Sequence, residues 1–244
     1  MKTYKSILLL IALLSVNVIN AQEIIRIDND STFFTDYRDG EEWAYSTKGN
    51  FMIGLNNKSI NDDYGKFYQI SIYIHNLGSN SYTFDPATIR SELYKSNGDT
   101  LQLTVYTNES FQKKIKKTQN WAMALTAFSN GLNSGMAGYQ TTYTTQRVGN
   151  YTYTTPVTTY NHAAASTAQI TANTQMAVME QQMKDDRVVR EEGYLKKNTI
   201  YPDEAIVGFM NIKRKKGDVL KVEIPIDGEL FYFIWDVSKK RKEK

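Results

Sequence analysis

The run FYQISIYIHNLG at residues 67–78 constrains the fold more than any other stretch of the chain. Phe67, Gln69, Ser71, Tyr73 and His75 fall on one side, and Tyr68, Ile70, Ile72, Ile74 and Asn76 on the other. Successive side chains of an extended backbone leave opposite faces, so this alternation, rich in isoleucine and tyrosine, predicts a half-buried strand. Asn, Gly and Ser over residues 76–80 supply turn chemistry. SYTFDP then reads as a second strand, closed by Pro86, which has no N–H to give a ladder. IRSELYKSNGDTLQLTVY reads as two strands about Asn97, Gly98 and Asp99, a short hairpin. Residues 43–56, WAYSTKGNFMIGLN, contribute at least one more strand.

The end of the chain has the same character. AIVGFMNIKRKKGDVLKVEIPI joins two alternating runs across a charged turn closed by Gly217 and Asp218, and ELFYFIWDV supplies a last, aromatic strand. Strands at intervals of about ten residues, with turn signals between them, predict a β-sandwich built from residues 22–108 and 196–238.

Residues 109–195 break this pattern. In ESFQKKIKKTQNWAMALTAFSNGL, Phe111, Ile115, Trp121, Leu125, Phe128 and Leu132 recur at helical spacing, with Thr118 interrupting the stripe. A second run has no proline from Ala163 to Leu195 and one glycine, Gly193, where a helix should stop. Its stripe is Ala165, Ala168 or Gln169, Ala172, Met176, Met179 and Met183. Alanine lets helices approach closely, so the two runs predict an antiparallel helical hairpin with a close-packed seam. Its tip, residues 138–162, is rich in threonine and tyrosine, and Arg147 is the single charge between Gly138 and Tyr160. That composition predicts a β-ribbon or an ordered loop, turned back near Val148, Gly149 and Asn150, with a low-complexity disordered tip as the alternative. Three spaced glycines, Gly131, Gly135 and Gly138, are expected to end the first helix.

Two portions carry a family resemblance. YGKFYQISIYIHNLGSNSYTFDPATI has strands around an asparagine-containing turn. YLKKNTIYPDEAIVGFMNIKRKKGDVLKVEIPIDGELFYFIW has a Thr-x-x-Pro approach, a glycine-bearing strand, a hairpin and an aromatic last strand. Together they resemble exported bacterial immunoglobulin-like proteins of uncharacterised function, although Asp203 follows Pro202 where that pattern has glycine. The resemblance covers under a third of the chain and implies export and a sandwich fold, with no catalytic residue attached. The expected class is therefore mainly β with an α insertion: an immunoglobulin-like β-sandwich interrupted by the long helical hairpin.

The N-terminus agrees with export. Lys2 and Lys5 precede an apolar run over residues 7–18 that ends near Ala21, the layout of a signal peptide occupying residues 1–21. The chain has no cysteine, which excludes disulfides, thiolate metal sites, a cysteine nucleophile and a lipidated tether. A periplasmic, surface-associated or secreted protein is expected. The net charge of +3 says little, and the basic runs, including the tail at residues 239–244, read as solvated ends and turns, not as nucleic-acid contacts.

The search for chemistry points away from catalysis. His75 and His162 lack the context of a nucleophilic triad. Asp28, Asp30, Asp36, Asp39, Glu41 and Glu42 offer oxygen ligands for calcium, but their spacing fits no EF-hand and Arg38 lies among them. They are expected to form a solvated loop, with calcium left open. No two carboxylates are paired by the sequence for glycoside hydrolysis, and GLNSGMAG matches no phosphate-binding loop. The expectation is a non-catalytic protein without cofactor or metal.

Fourteen of the twenty-two residues from 139 to 160 are threonine or tyrosine. Tyrosine offers wide contact area at low entropic cost, with a hydroxyl for a wet boundary. Tyr139, Tyr143, Tyr151, Tyr153 and Tyr160 are thus the candidate partner-binding residues, for another envelope protein or for copies of this chain. A structural tip, membrane contact and glycan binding by the sandwich stand as alternatives.

Overall fold

The computed structural model describes residues 23–25, 32–38, 40–148 and 151–238. The expected signal segment 1–21 and the basic tail 239–244 lie outside the described residues, as do Asp28, Asp30 and Asp39. The protein is mainly β, with several antiparallel sheets and two long helices.

Before the helices run β1 (Glu23–Ile24), β2 (Phe34–Arg38), β3 (Glu41–Lys48), β4 (Phe51–Asp62), β5 (Gly65–Asn76), β6 (Tyr82–Phe84), β7 (Arg90–Tyr94), β8 (Thr100–Gln102) and β9 (Val105–Tyr106). Then come α1 (Asn108–Ala137), β10 (Tyr139–Val148), β11 (Tyr151–Tyr160) and α2 (His162–Glu192). The chain closes with β12 (Asn198–Ile200), β13 (Ala205–Lys213), β14 (Val219–Ile226) and β15 (Glu229–Asp236).

One sheet has the order β2-β3-β4-β5-β13-β9 and another β1-β15-β14-β7-β8. Strands from before and after the helices pair directly: Ile72 of β5 lies opposite Gly208, and Leu93 of β7 opposite Leu220. Both sheets contribute to one apolar cluster. Ile53, Leu55, Ile70, Ile72, Ile74, Met210 and Ile212 come from the first sheet, and Leu93, Leu220, Val222, Ile224, Phe231, Phe233 and Trp235 from the second. Each such side chain contributes about 1.5–3 kcal/mol when fully buried. Asn76, on the isoleucine side of β5, is also buried, and there its amide donates to the Asn80 and Ile200 carbonyls while accepting from the Gly78 N–H. A buried amide with its partners in place avoids the desolvation penalty.

Several local expectations need correction. The two runs over residues 205–226 form no hairpin: β13 lies in the six-stranded sheet and β14 in the five-stranded one, because the charged connection spans the two layers. SYTFDP yields β6, whose partner is β12, not β5. The acidic stretch is no loop in its described part, since β2 and β3 pair with Asp36 opposite Trp43 and Arg38 opposite Glu41. Asp203, after Pro202, has φ +61°, the left-handed conformation in which glycine is least strained. Its turn is closed by the Glu204 N–H donating to the Tyr201 carbonyl at 3.1 Å.

Candidate functional site: the helical arm

The helices leave the sheets from an aromatic root. Thr107 caps α1 by accepting from the Ser110 N–H at 3.3 Å. One turn on, Phe111 and then Ile115 are fully buried. Phe111 meets Phe67 edge-on with centroids 5.5 Å apart and stacks on Tyr194 at 5.3 Å. Tyr194 donates its hydroxyl proton to the Tyr106 carbonyl at 2.8 Å and accepts from the Asn211 N–H at 3.0 Å. Burial pushes this phenol well above its ordinary range. Gly193 ends α2 beside Phe209, where a Cβ would come within 2.8 Å of the ring, so glycine here permits the close packing.

Above the root sits a polar clamp that joins both helices to the β4–β5 turn. Gln119 of α1 is buried and donates to the Tyr64 hydroxyl at 2.9 Å and the Met183 carbonyl at 3.1 Å. Arg187 of α2 donates to the Gln119 side-chain oxygen, and Tyr64 donates to Asp186. Arg190 reaches Asp62 at 2.8 Å and Asp186 at 2.9 Å, with its guanidinium over the Tyr64 ring at 4.7 Å. Burial alone would lower the Arg190 pKa, but its bonds to the two carboxylates outweigh that and raise it. Burial raises the Tyr64 phenol, and the bond to Asp186 raises it further. An open cleft of about 430 Å³ lies beside this clamp. Three of its charged lining residues are already engaged: Arg187 with Gln119, Lys184 with Glu180 and Glu191 with Lys196.

Beyond the clamp α1 and α2 pack against each other. Half-buried Ala165, Ala168, Ala172, Met176, Met179 and Met183 make the α2 seam, the stripe expected from sequence. The half-buried residues of α1 here are Ala122, Met123, Thr126, Asn130 and Ser134, mostly small or polar. Thr126 returns its hydroxyl to the Ala122 carbonyl at 3.0 Å. Asn130 Nδ2 is buried without a hydrogen-bond partner.

The larger apolar residues of α1 are elsewhere. Trp121 is 69% exposed, Leu125 53%, Phe128 67%, Leu132 54% and Met136 72%. At about 100° per residue they line the side of α1 turned away from α2. The stripe expected to pack as one face is therefore divided: Phe111 and Ile115 enter the core, and the four residues from Trp121 to Leu132 do not. The helix also runs past Gly131 to Ala137, and Gly138 is its cap. A Cβ on Gly138 would lie 2.5 Å from the Tyr160 ring.

At the tip, β10 and β11 form an antiparallel ribbon in which Val148 pairs with Tyr151. Tyr139 lies opposite Tyr160, Tyr143 opposite Pro156, Tyr153 opposite Gln146. Along these pairs Tyr139, Tyr143 and Tyr160 occupy one alternate set of positions, and Tyr151 and Tyr153 the other. The five candidates therefore do not belong to one set. The exposed rings of Tyr139 and Tyr160 meet edge-on at 5.0 Å, and Tyr160 meets His162 at 4.8 Å. Asn161 caps α2 by accepting from the Ala164 N–H at 3.1 Å.

The other candidates stay apart from the arm. His75 lies 3.4 Å from Asp203, and His162 opens α2. Asp36 is held by Arg38 at 3.0 Å, and Glu41 by Lys58 at 2.9 Å. Among the described residues no group of three or more His, Asp or Glu side chains is placed to hold a metal ion. Between Lys117 and Glu180 the chain has one formally charged residue, Arg147. This long uncharged stretch, combined with the outward-facing stripe, is the signal that a search confined to the tyrosines misses. No helix among the described residues is long and apolar enough to cross a membrane. Comparison with protein-family models, with curated proteins and with solved structures finds no match for this chain.

Proposed function

We propose that the protein is a non-catalytic, exported envelope protein in which an immunoglobulin-like sandwich presents the helical arm as a contact module. The strand orders β4-β5-β13-β9 and β15-β14-β7-β8 support the fold part of this reading. We read them as the A-B-E-D and G-F-C orders of an immunoglobulin domain, with β8 beside β7 as an added C′ strand and with β3, β2 and β1 continuing the sheets past A and G. On that assignment the arm interrupts the connection from strand D to strand E. Export rests on the N-terminal sequence.

One observation carries the functional part: the distal arm exposes Trp121, Leu125, Phe128, Leu132, Met136, Tyr139 and Tyr160 across a stretch with a single charge. Contiguous apolar surface of this kind marks contact sites, since charge normally keeps exposed surface soluble. The ribbon, with its candidates Tyr139, Tyr143, Tyr151, Tyr153 and Tyr160, is the outermost part of that surface in this reading. The test is a cross-linked pull-down from the native cell envelope. It compares the mature protein with a version whose residues 139–160 are replaced by a short Gly/Ser turn, after both show the same thermal unfolding. Loss of partners from the shortened protein alone is the expected result. Partners retained in full would return the ribbon to a structural role.

A further inference from the structure

We infer that the outer face of α1 is a self-association surface: two copies of the chain pair antiparallel through Trp121, Leu125, Phe128, Leu132 and Met136. This rests on reading the arm as a contact module and names the occupant of one of its faces.

Spacing is the first argument. The five residues recur at intervals of four, three, four and four, so they form a narrow stripe nearly along the helix axis. Such a stripe is covered best by another helix bearing similar spacing, whose side chains fill the gaps between its own. A second α1 supplies that stripe. A two-fold axis near Phe128 sets Trp121 of one copy towards Met136 of the other and places the two sandwiches at opposite ends, clear of each other.

Area is the second. With more than half of each side chain open to solvent, the five residues offer roughly 600 Å² per copy, on the scale of 150–250 Å² for a fully buried aromatic. Two copies together reach about 1,200 Å², the lower bound for a specific interface. Charge is the third. The segment of α1 that bears the stripe has no charged residue, so a second copy meets it without desolvating an ion or opposing like charges. A charged partner surface would find no counter-ion here. A membrane surface fits less well, because helices that lie in the interface flank their apolar face with lysine and arginine, and α1 has none after Lys117.

The chain has no cysteine, which allows a clean test. The mature protein is examined by sedimentation velocity across a dilution series, beside a Leu125→Glu, Phe128→Glu double variant. Both side chains are exposed, so the variant should keep the circular dichroism and melting of the parent. The dimer of the parent should weaken on the order of a hundredfold in the variant. Phe128→Cys should form a disulfide dimer under mild oxidation, and Ala127→Cys, exposed on a different side of the helix, should not. A parent that stays monomeric at the highest concentration overturns the proposal, as does a double variant that stays dimeric. Flotation of the monomer with phosphatidylcholine–phosphatidylglycerol vesicles would assign the stripe to membrane instead and also overturn it. The version lacking residues 139–160 should still dimerise, because it keeps the stripe. Failure of the ribbon as a partner site and failure of this pairing are therefore read separately.

Discussion

Phe111 and Trp121 lie on the same helix about three turns apart, and their surroundings differ completely. Phe111 is enclosed by Phe67, Tyr106 and Tyr194, whereas Trp121 faces solvent. Root and distal arm are both helical with apolar stripes, but only the root has sheet beside it. The helix is continuous, so its own backbone bonds hold the distal part, along with a seam of alanine, methionine and small polar residues. Such a seam buries little area, and helices in proteins gain most of their stability from packing. The comparison teaches that amphipathic spacing identifies a face without saying whether its cover comes from the same chain.

Truncation at the two places should separate them most sharply. Phe111→Ala opens a cavity between both helices and the sheet and should cost about 3–5 kcal/mol. Phe128→Ala removes an exposed ring and should leave the stability of the monomer within about 0.5 kcal/mol. Urea denaturation followed by circular dichroism at concentrations low enough to hold the monomer measures both. Similar losses at the two sites would mean that the outer stripe is packed within the chain.

The clamp divides the two regions, and breaking it should loosen the arm without undoing the sandwich. Gln119→Leu removes the group that links Tyr64, Met183 and Arg187. It leaves part-buried polar groups unpaired, at a cost of roughly 1–3 kcal/mol. Hydrogen exchange should then accelerate in α1 after Gln119 and in α2 before Met183, while β5 and β14 keep their protection. Uniform acceleration through the sheets would show that arm and sandwich unfold as one unit.

Alkaline pH attacks the root and the clamp most directly. The phenols of Tyr194 and Tyr106 at the root, Tyr64 in the clamp and Tyr68 in the sheet are raised above their ordinary value of 10.0, chiefly by burial. Their contribution to stability is complete below about pH 10, the unfolded value, because both states are then protonated. As pH climbs further, the unfolded chain loses protons that the folded root retains, and stability falls until the folded phenols ionise. The melting temperature should therefore hold up to about pH 10 and drop above it. Tyr194→Phe should soften that drop even though it loses two hydrogen bonds. An unchanged slope would remove Tyr194 from the account.

The strands were legible because their signal is local. The alternation of Tyr68 to Asn76 fixes which residues of that part of β5 are buried, and the same holds for β14 and β15, whereas Phe67 is buried on the opposite side under Tyr106 and Phe111. The α2 seam was legible for the same reason. What stayed hidden was pairing, which depends on residues far away in sequence. The 205–226 stretch has the marks of a hairpin, yet β13 finds β5 and β14 finds β7, since two faces of one core are buried better that way. The clamp was hidden too: Asp62, Tyr64, Gln119, Asp186, Arg187 and Arg190 come from three separate segments, and none of them departs from ordinary surface composition. The tyrosine-rich tip drew attention by composition. The stripe at Trp121 did not, because its spacing looked like that of an ordinary buried face.

The smallest effect expected lies in the arm seam, at Asn130. Its buried Nδ2 lacks a partner, and asparagine is a poor helix former in the interior of a helix. Asn130→Ala removes the unsatisfied donor and supplies the residue with the best helix propensity, at the expense of some seam contact. The arm should gain roughly 1 kcal/mol, seen as slower exchange of its amides, with the protection of β5 and β14 unchanged. Because Asn130 lies towards α2 and not on the outer stripe, the same substitution should leave any dimer affinity as it was. A destabilised arm would mean that the Asn130 amide does find a partner in solution, and that the seam depends on polar contacts and not only on the close approach of small residues.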